Sequence, residues 1–309
     1  MLIPSLKHGF AHLRANRRMV FVFYLANFLF GLILLLPFRA MLSNYIGDSQ
    51  MGAKLGGALD MDFVFEFFGG NEAVLTTQRA MLLVVPGLYW LFGLFLSGGA
   101  FTIFATQERY TSQQFWSGAA AHFGRFVRLA LYAVPLLGIL FCVQFLETGV
   151  QRLVWGKDAY QSITYLGSWV RLAITALSVI LFGMIFDYAR VHTVLHEEHK
   201  MRVAIWQGIK FAFDNFLTTF GLGLFMFIAG ALLLALYNPL ANSFSASNMF
   251  IVLLLFLLQQ FYVLARMALK LALYAGETFL YQQHAAATAP ITSTPAQNLD
   301  LEGLAPALE

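Results

Sequence analysis

Long apolar runs separated by short polar stretches organise this chain. Met19 to Phe38 carries no charged residue, and neither does Ala80 to Gln107. A third run covers Leu129 to Leu146. A fourth extends from about Ser168 to Ala189, with Arg171 near one end and Asp187 near the other. Asn215 to Ala265 is again free of charge. A bilayer core about 30 Å thick is crossed by about 20 residues of helix, so this last run holds two spans. The turn formers between Tyr237 and Asn248 divide it. The pattern therefore predicts an all-α membrane protein with six transmembrane helices.

Shorter amphipathic stretches precede the odd-numbered spans. Trp116-Ser-Gly-Ala-Ala-Ala-His-Phe-Gly-Arg-Phe126 matches Trp206-Gln-Gly-Ile-Lys-Phe-Ala-Phe-Asp-Asn-Phe216 in its Trp, Gly and two Phe, at a constant step of 90 residues. Glu108 and Glu198 fall on the same step. Leu6 to Asn16 resembles a third, weaker copy, with Gly9 in the place of Gly118. At 100° per residue, Phe115, Trp116, Ala119, Phe123 and Phe126 share one stripe. Ile205, Trp206, Ile209, Phe213 and Phe216 share its counterpart, as do Leu2, Ile3, Leu6, Phe10 and Leu13. Apolar and aromatic on one side, basic or polar on the other, these read as about three interfacial helices, with Trp116, Phe123, Trp206 and Phe213 as anchors.

The chain then parses into three units of interfacial helix, span, outer loop and span: 1–109, 110–200 and 201–284. A tail over 285–309, rich in Ala, Thr and Pro, is expected to be disordered. A plain alternative is that any re-entry before a span looks amphipathic.

Charge sets the orientation. With the N-terminus inside, the inner side holds thirteen basic residues: Lys7, Arg14, Arg17, Arg18, Arg109, Arg125, Arg128, Arg190, Lys200, Arg202, Lys210, Arg266 and Lys270. The outer side holds six, Arg39, Lys54, Arg79, Arg152, Lys157 and Arg171. That bias predicts both termini in the cytoplasm and a bacterial inner (plasma) membrane location. The basic start before Met19 resembles a signal peptide, but the apolar run is too long, so it reads as an uncleaved first span. The outer loop from Leu42 to Arg79 should carry short surface helices, with Asp60 and Asp62 on a solvated face.

Composition agrees and narrows function. The chain is 59% hydrophobic and only 11% charged, against about 25% charged in a soluble domain. Basic residues lie at membrane edges rather than in one patch, which excludes a nucleic-acid partner. The single cysteine, Cys142, excludes an intrachain disulfide and reads as a buried small hydrophobe.

Several polar groups could carry chemistry. Gln259, Tyr262, Arg266, Lys270 and Glu277 share one helical face at the sixth span. That face reads either as a transport or partner face, or as the wall of a long helix leaving the membrane with its basic groups snorkelling. His192, His196 and His199, at i, i+4 and i+7, would share a helix face and suit Zn²⁺, with Glu197, Glu198, His8 and His12 on the same side. Asp187 and Arg190 should neutralise each other locally. Glycines such as Gly98, Gly99, Gly221, Gly223 and Gly230 suit close helix packing, and Pro37, Pro86 and Pro135 suit kinks. No P-loop, dinucleotide glycine pattern, H-E-x-x-H or nucleophile elbow occurs. A non-enzymatic protein without cofactor is therefore expected.

The stretch from Leu6-Lys-His-Gly-Phe10 through Arg17-Arg-Met-Val-Phe-Val-Phe23 resembles the start of CysZ-type sulfate permeases, over about the first forty residues. The whole pattern is similar to six-span bacterial inner-membrane proteins with repeated interfacial helices. No functional residue is carried across by either resemblance. Two functions remain. One is a membrane scaffold or accessory subunit, its partners being the bilayer and a protein partner or a second copy. The other is a transporter or channel for a small anion or lipid.

Overall fold

The computed structural model describes residues 2–57, 60–69, 72–143, 145–156, 160–244 and 248–288. The described residues form eleven helices and no strand: α1 Leu2–Ala15, α2 Arg17–Ile46, α3 Met51–Gly57, α4 Met61–Gly69, α5 Glu72–Thr106, α6 Ser112–Val143, α7 Phe145–Trp155, α8 Gln161–Leu195, α9 Met201–Asp214, α10 Phe216–Asn242 and α11 Met249–Thr288. Six stretches are long and apolar enough to cross a membrane, the mark of a multi-pass membrane protein: α2, Arg79–Thr106 of α5, Ser112–Trp155 across α6 and α7, α8, α10, and Met249–Ala285 of α11.

The helices outrun the bilayer. At 1.5 Å per residue, the 35-residue α8 is about 50 Å long and the 40-residue α11 about 60 Å. The excess gathers at one end, the end that holds α1 and α9. Buried side chains concentrate there: Met19 and Phe23 on α2, Leu94 to Phe104 on α5, Phe115 to Ala133 on α6, Ile180 to Thr193 on α8 and Met267 to Tyr281 on α11. The opposite half is thinly covered, with Leu83, Leu153 and Tyr160 exposed.

Three helix crossings build that end, and all turn on a glycine. A Cβ on Gly9 of α1 would come within 2.6 Å of the Ala272 carbonyl on α11. A Cβ on Gly118 of α6 would lie 2.5 Å from Thr102 Oγ1 on α5, and one on Gly208 of α9 would lie 2.8 Å from the Ala189 nitrogen on α8. The partner positions, Gly98 and Thr102, Ile185 and Ala189, Ala272 and Gly276, recur at a step of 87 residues. Only hydrogen fits where backbones approach so closely.

This packing reassigns the amphipathic faces. On α9 the buried stripe is Met201, Ala204, Gly208 and Ala212, while Trp206 and Phe213 are 66% and 57% exposed. On α1 it is Ser5, Gly9 and Leu13, with Ile3 and Phe10 exposed. The small face meets protein because it allows backbone contact; the bulky face points away. On α6 the stripe splits: Phe115, Ala119 and Phe126 are fully buried, and Trp116 lies half-exposed against Phe95.

Two breaks share a conformation. Asn16, between α1 and α2, has φ −114° and ψ 36°; Asn215, between α9 and α10, has φ −117° and ψ 32°. At the corresponding place before the third span, the chain passes unbroken as α6. Among the described residues, the non-glycine positions with left-handed backbone are Gln107 and Glu197, again 90 apart. Each ends the turn after a span. Glu198 caps the latter turn, its Oε1 accepting from the His199 and Lys200 amides, and the Lys200 amide above all holds its carboxyl below the usual range.

Other expectations are refined. The loop from Leu42 to Arg79 does contain short helices, α3 and α4. Asp60 is not merely solvated: its Oδ1 accepts from the Asp62 and Phe63 amides and caps α4, whose Phe63 and Phe67 pack on Tyr45. Cys142 is exposed rather than buried, because the C-terminal half of α6 has few protein neighbours. α11 continues helically to Thr288, over the first residues of the expected tail; 289–309, like Lys157, lie outside the described residues.

Candidate functional site

The second half of α11 does not leave the bundle. Leu271, Ala272, Tyr274, Ala275, Glu277, Thr278 and Leu280 are all buried, because α1 lies across them on one side and α8 and α10 on others. Glu277 is thereby carried into the protein interior and Lys270 is half-buried, while Arg266 stays exposed.

Beside them runs a cleft of about 780 Å³ between α8, α10 and α11, reaching α2 and α5. Tyr262, Arg266, Lys270 and Glu277 line it, as the shared face predicts, and Asp187 joins them from α8. Gln259 is exposed and does not line the cleft. Its neighbour Gln260 faces inward, its Oε1 accepting from the Tyr24 hydroxyl at 2.9 Å. Gly183 and Gly230 form part of the wall, and a Cβ on either would meet nothing within 4 Å. These two glycines widen the cleft instead of tightening a crossing.

The polar groups are unequally satisfied. Asp187 Oδ1 accepts from Arg190 NH1 at 2.8 Å, so the expected local pair forms, with Arg190 also 5.9 Å over the Phe126 ring. Lys270 is half-buried. Its ammonium lies 6.0 Å from the Phe23 ring and 5.8 Å from that of Tyr274, and its charged neighbours are Arg190, Asp187 and Arg266. Among the described residues neither Lys270 nor Arg266 has a carboxylate within 4.0 Å. Glu277 is 3% exposed, and its Oε2 has no hydrogen-bond partner among them. A charge this far from water costs several kcal/mol unless something compensates it. At the far end, Asn27 Nδ2 donates to the Tyr89 hydroxyl at 3.0 Å, and Tyr262 stacks on Tyr237.

No protein-family model, curated protein or solved structure matches the chain. The geometry alone therefore carries the assignment.

The histidines do not assemble a metal site. α8 ends at Leu195, so His196 caps it and His199 lies in the following loop, off any shared helix face. His192 Nδ1 and the Tyr281 hydroxyl share a hydrogen bond of 2.7 Å, and His199 Nε2 lies 3.4 Å from Arg125 NH2. Among the described residues no three His, Cys, Asp or Glu gather to hold a metal. His8 stacks on Phe279 at 3.9 Å, and burial, then the nearby His12, push its pKa down. Sequence reasoning paired Asp187 with Arg190 but did not place it at the cleft, and it missed the asparagine–tyrosine end, because Asn27 and Tyr89 are single polar residues in separate apolar runs.

Proposed function

We propose that this chain is a membrane transport protein whose interior cleft binds a small phosphate-type anion or the anionic part of a lipid. The observation that carries this reading is the pair Arg266 and Lys270, lining one cleft inside an apolar bundle with no carboxylate in contact among the described residues. Two cations one turn apart repel each other, and the half-buried Lys270 also loses hydration; a bound anion offsets both costs. The cleft also falls within the roughly 300–1,000 Å³ of ligand sites.

The remaining features fit a carrier. A threefold repetition is supported by three glycine crossings whose partner positions recur at a step of 87, and repeated units around an interior site are a common transporter plan. Exposed Trp206, Phe213 and Phe10 on helices whose small faces meet protein support an interfacial placement for α1 and α9. The basic bias supports cytoplasmic termini and a bacterial inner membrane.

The test is flux into proteoliposomes, with labelled phosphate and a fluorescent phospholipid as the two probes. Arg266→Ala and Lys270→Ala are each expected to lower the active flux about tenfold or more, the worth of one charge-assisted hydrogen bond, at unchanged yield of folded protein. Unchanged flux in both variants would remove both residues from the mechanism and end this reading. A scaffold or accessory subunit is the second reading. It is favoured by Met249, Phe250, Leu153 and Tyr160, 73–87% exposed at the outer helix ends. Gentle purification from native membrane, followed by mass spectrometry, would then return a stoichiometric protein partner.

A further inference from the structure

The order of groups along the cleft carries more than its charge. At 1.5 Å per residue, Tyr262 to Glu277 covers about 22 Å of α11, Arg266 to Lys270 about 6 Å, and Lys270 to Glu277 about 10 Å. The Tyr262 end is walled by Val179, Ala231 and Leu234, and between them and the charges lie the open faces of Gly183 and Gly230. The cations come next. The carboxylates Asp187 and Glu277 stand at the end nearest α1 and α9, where Arg190 is bonded to Asp187 and also acts on Glu277, so two carboxylates share one guanidinium.

A mostly apolar channel with Asn27, Tyr89 and Tyr262 at its far end, then cations, then carboxylates, repeats the sequence of groups in one phospholipid whose headgroup ends in an amine. Its chain lies in hydrocarbon, its phosphate follows, and its ammonium stands nearest water. We propose that the cleft holds an aminophospholipid, with an acyl chain against Gly183 and Gly230, the phosphate on Lys270 and Arg266, and the ammonium on Glu277 with Asp187. The proposal rests on the anion reading above and adds the ligand class. Two features ask for this ligand over a simple anion. The orphaned Glu277 Oε2, in a side chain almost wholly buried, would repel a bare phosphate but accepts from an ammonium. The space beside Gly183 and Gly230 has no use for a free inorganic ion, whereas a methylene chain fills it. The charged groups also lie toward the bundle end, the depth at which a lipid in the nearer leaflet holds its head.

The experiment uses the full chain in detergent, titrated with phosphatidylethanolamine, phosphatidylglycerol, free phosphoethanolamine and inorganic phosphate, with occupancy read by native mass spectrometry. Phosphatidylethanolamine should bind about tenfold tighter than phosphatidylglycerol, the gain of one ammonium–carboxylate contact. Lys270→Gln should lose both lipids. Glu277→Gln should keep phosphatidylglycerol and lose the preference. If Lys270→Gln does not fold, Arg266→Gln, at an exposed side chain, carries the same comparison. Equal binding of the two lipids, or a preference that survives Glu277→Gln, overturns the ammonium site and leaves the anion reading standing. Free phosphoethanolamine or phosphate binding as tightly as lipid overturns the lipid assignment alone. Probe binding indifferent to both Lys270→Gln and Arg266→Gln overturns both.

Discussion

Gly208→Leu is expected to prevent accumulation of folded protein. A Cβ at this position meets the Ala189 nitrogen at 2.8 Å, the Ile185 carbonyl oxygen at 2.9 Å and the Ala189 Cα at 3.0 Å. All three are backbone atoms of α8, so no rotamer change clears them. The whole of α9 would have to lift, and with it Ala204 and Ala212, both fully buried against the bundle. Extra methylenes in a packed core cost about 1–3 kcal/mol even where side chains can shift; here the loss should reach about 3 kcal/mol or more. That is a large part of the roughly 5–15 kcal/mol that holds a domain folded. Fluorescence-detected size exclusion should show aggregate in place of the monodisperse peak. Gly138→Ala is the matched control: its Cβ meets nothing within 4 Å, and helix propensity predicts no loss. A Gly208→Leu protein melting like the wild type would mean that α9 does not lie on α8 in this way.

Asp187→Ala should be nearly as damaging, for an electrostatic reason. Asp187 and Arg190 are 11% and 15% exposed at their side chains and joined at 2.8 Å. Removing the carboxylate leaves a largely buried guanidinium over the Phe126 ring and near Lys270, with Glu277 the carboxylate that remains close to it. Breaking such a pair costs about 3–5 kcal/mol, whereas replacing both members by apolar groups of similar volume is close to neutral. The variant carrying both Asp187→Leu and Arg190→Met should therefore recover most of the lost thermal stability. Melting temperatures of the two single variants and the double variant form the cycle. If the losses simply add, the two residues do not depend on each other, and the buried pair is not what stabilises this part of α8.

How much could be seen in advance differs by element. The six spans were legible because each apolar residue adds its own transfer free energy, and a run such as Ala80 to Gln107 sums to an unambiguous total. Turn chemistry was not legible: helical spacing put His192, His196 and His199 on one face, but the chain leaves the helix after Leu195 and Glu197 adopts a left-handed backbone. The face of Tyr262, Arg266, Lys270 and Glu277 followed from helical spacing alone. What such spacing could not say is which neighbour that face would meet. Lys270 four residues past Arg266 reads equally well as a helix climbing out of the membrane.

The sequence alone thus determined the solvent of each segment and the period of each helix, both local sums over neighbouring residues. Only the tertiary structure decided where the polar face went, which glycines touch and which stand open, and that Cys142 faces outward. Gly208 and Gly230 are the same residue in similar apolar surroundings, yet one closes a crossing and the other widens a cleft. The difference lies in the opposing helix, and opposition of faces is a long-range property. It is set when α1 folds across α11 and α9 across α8, bringing together residues that no local window contains.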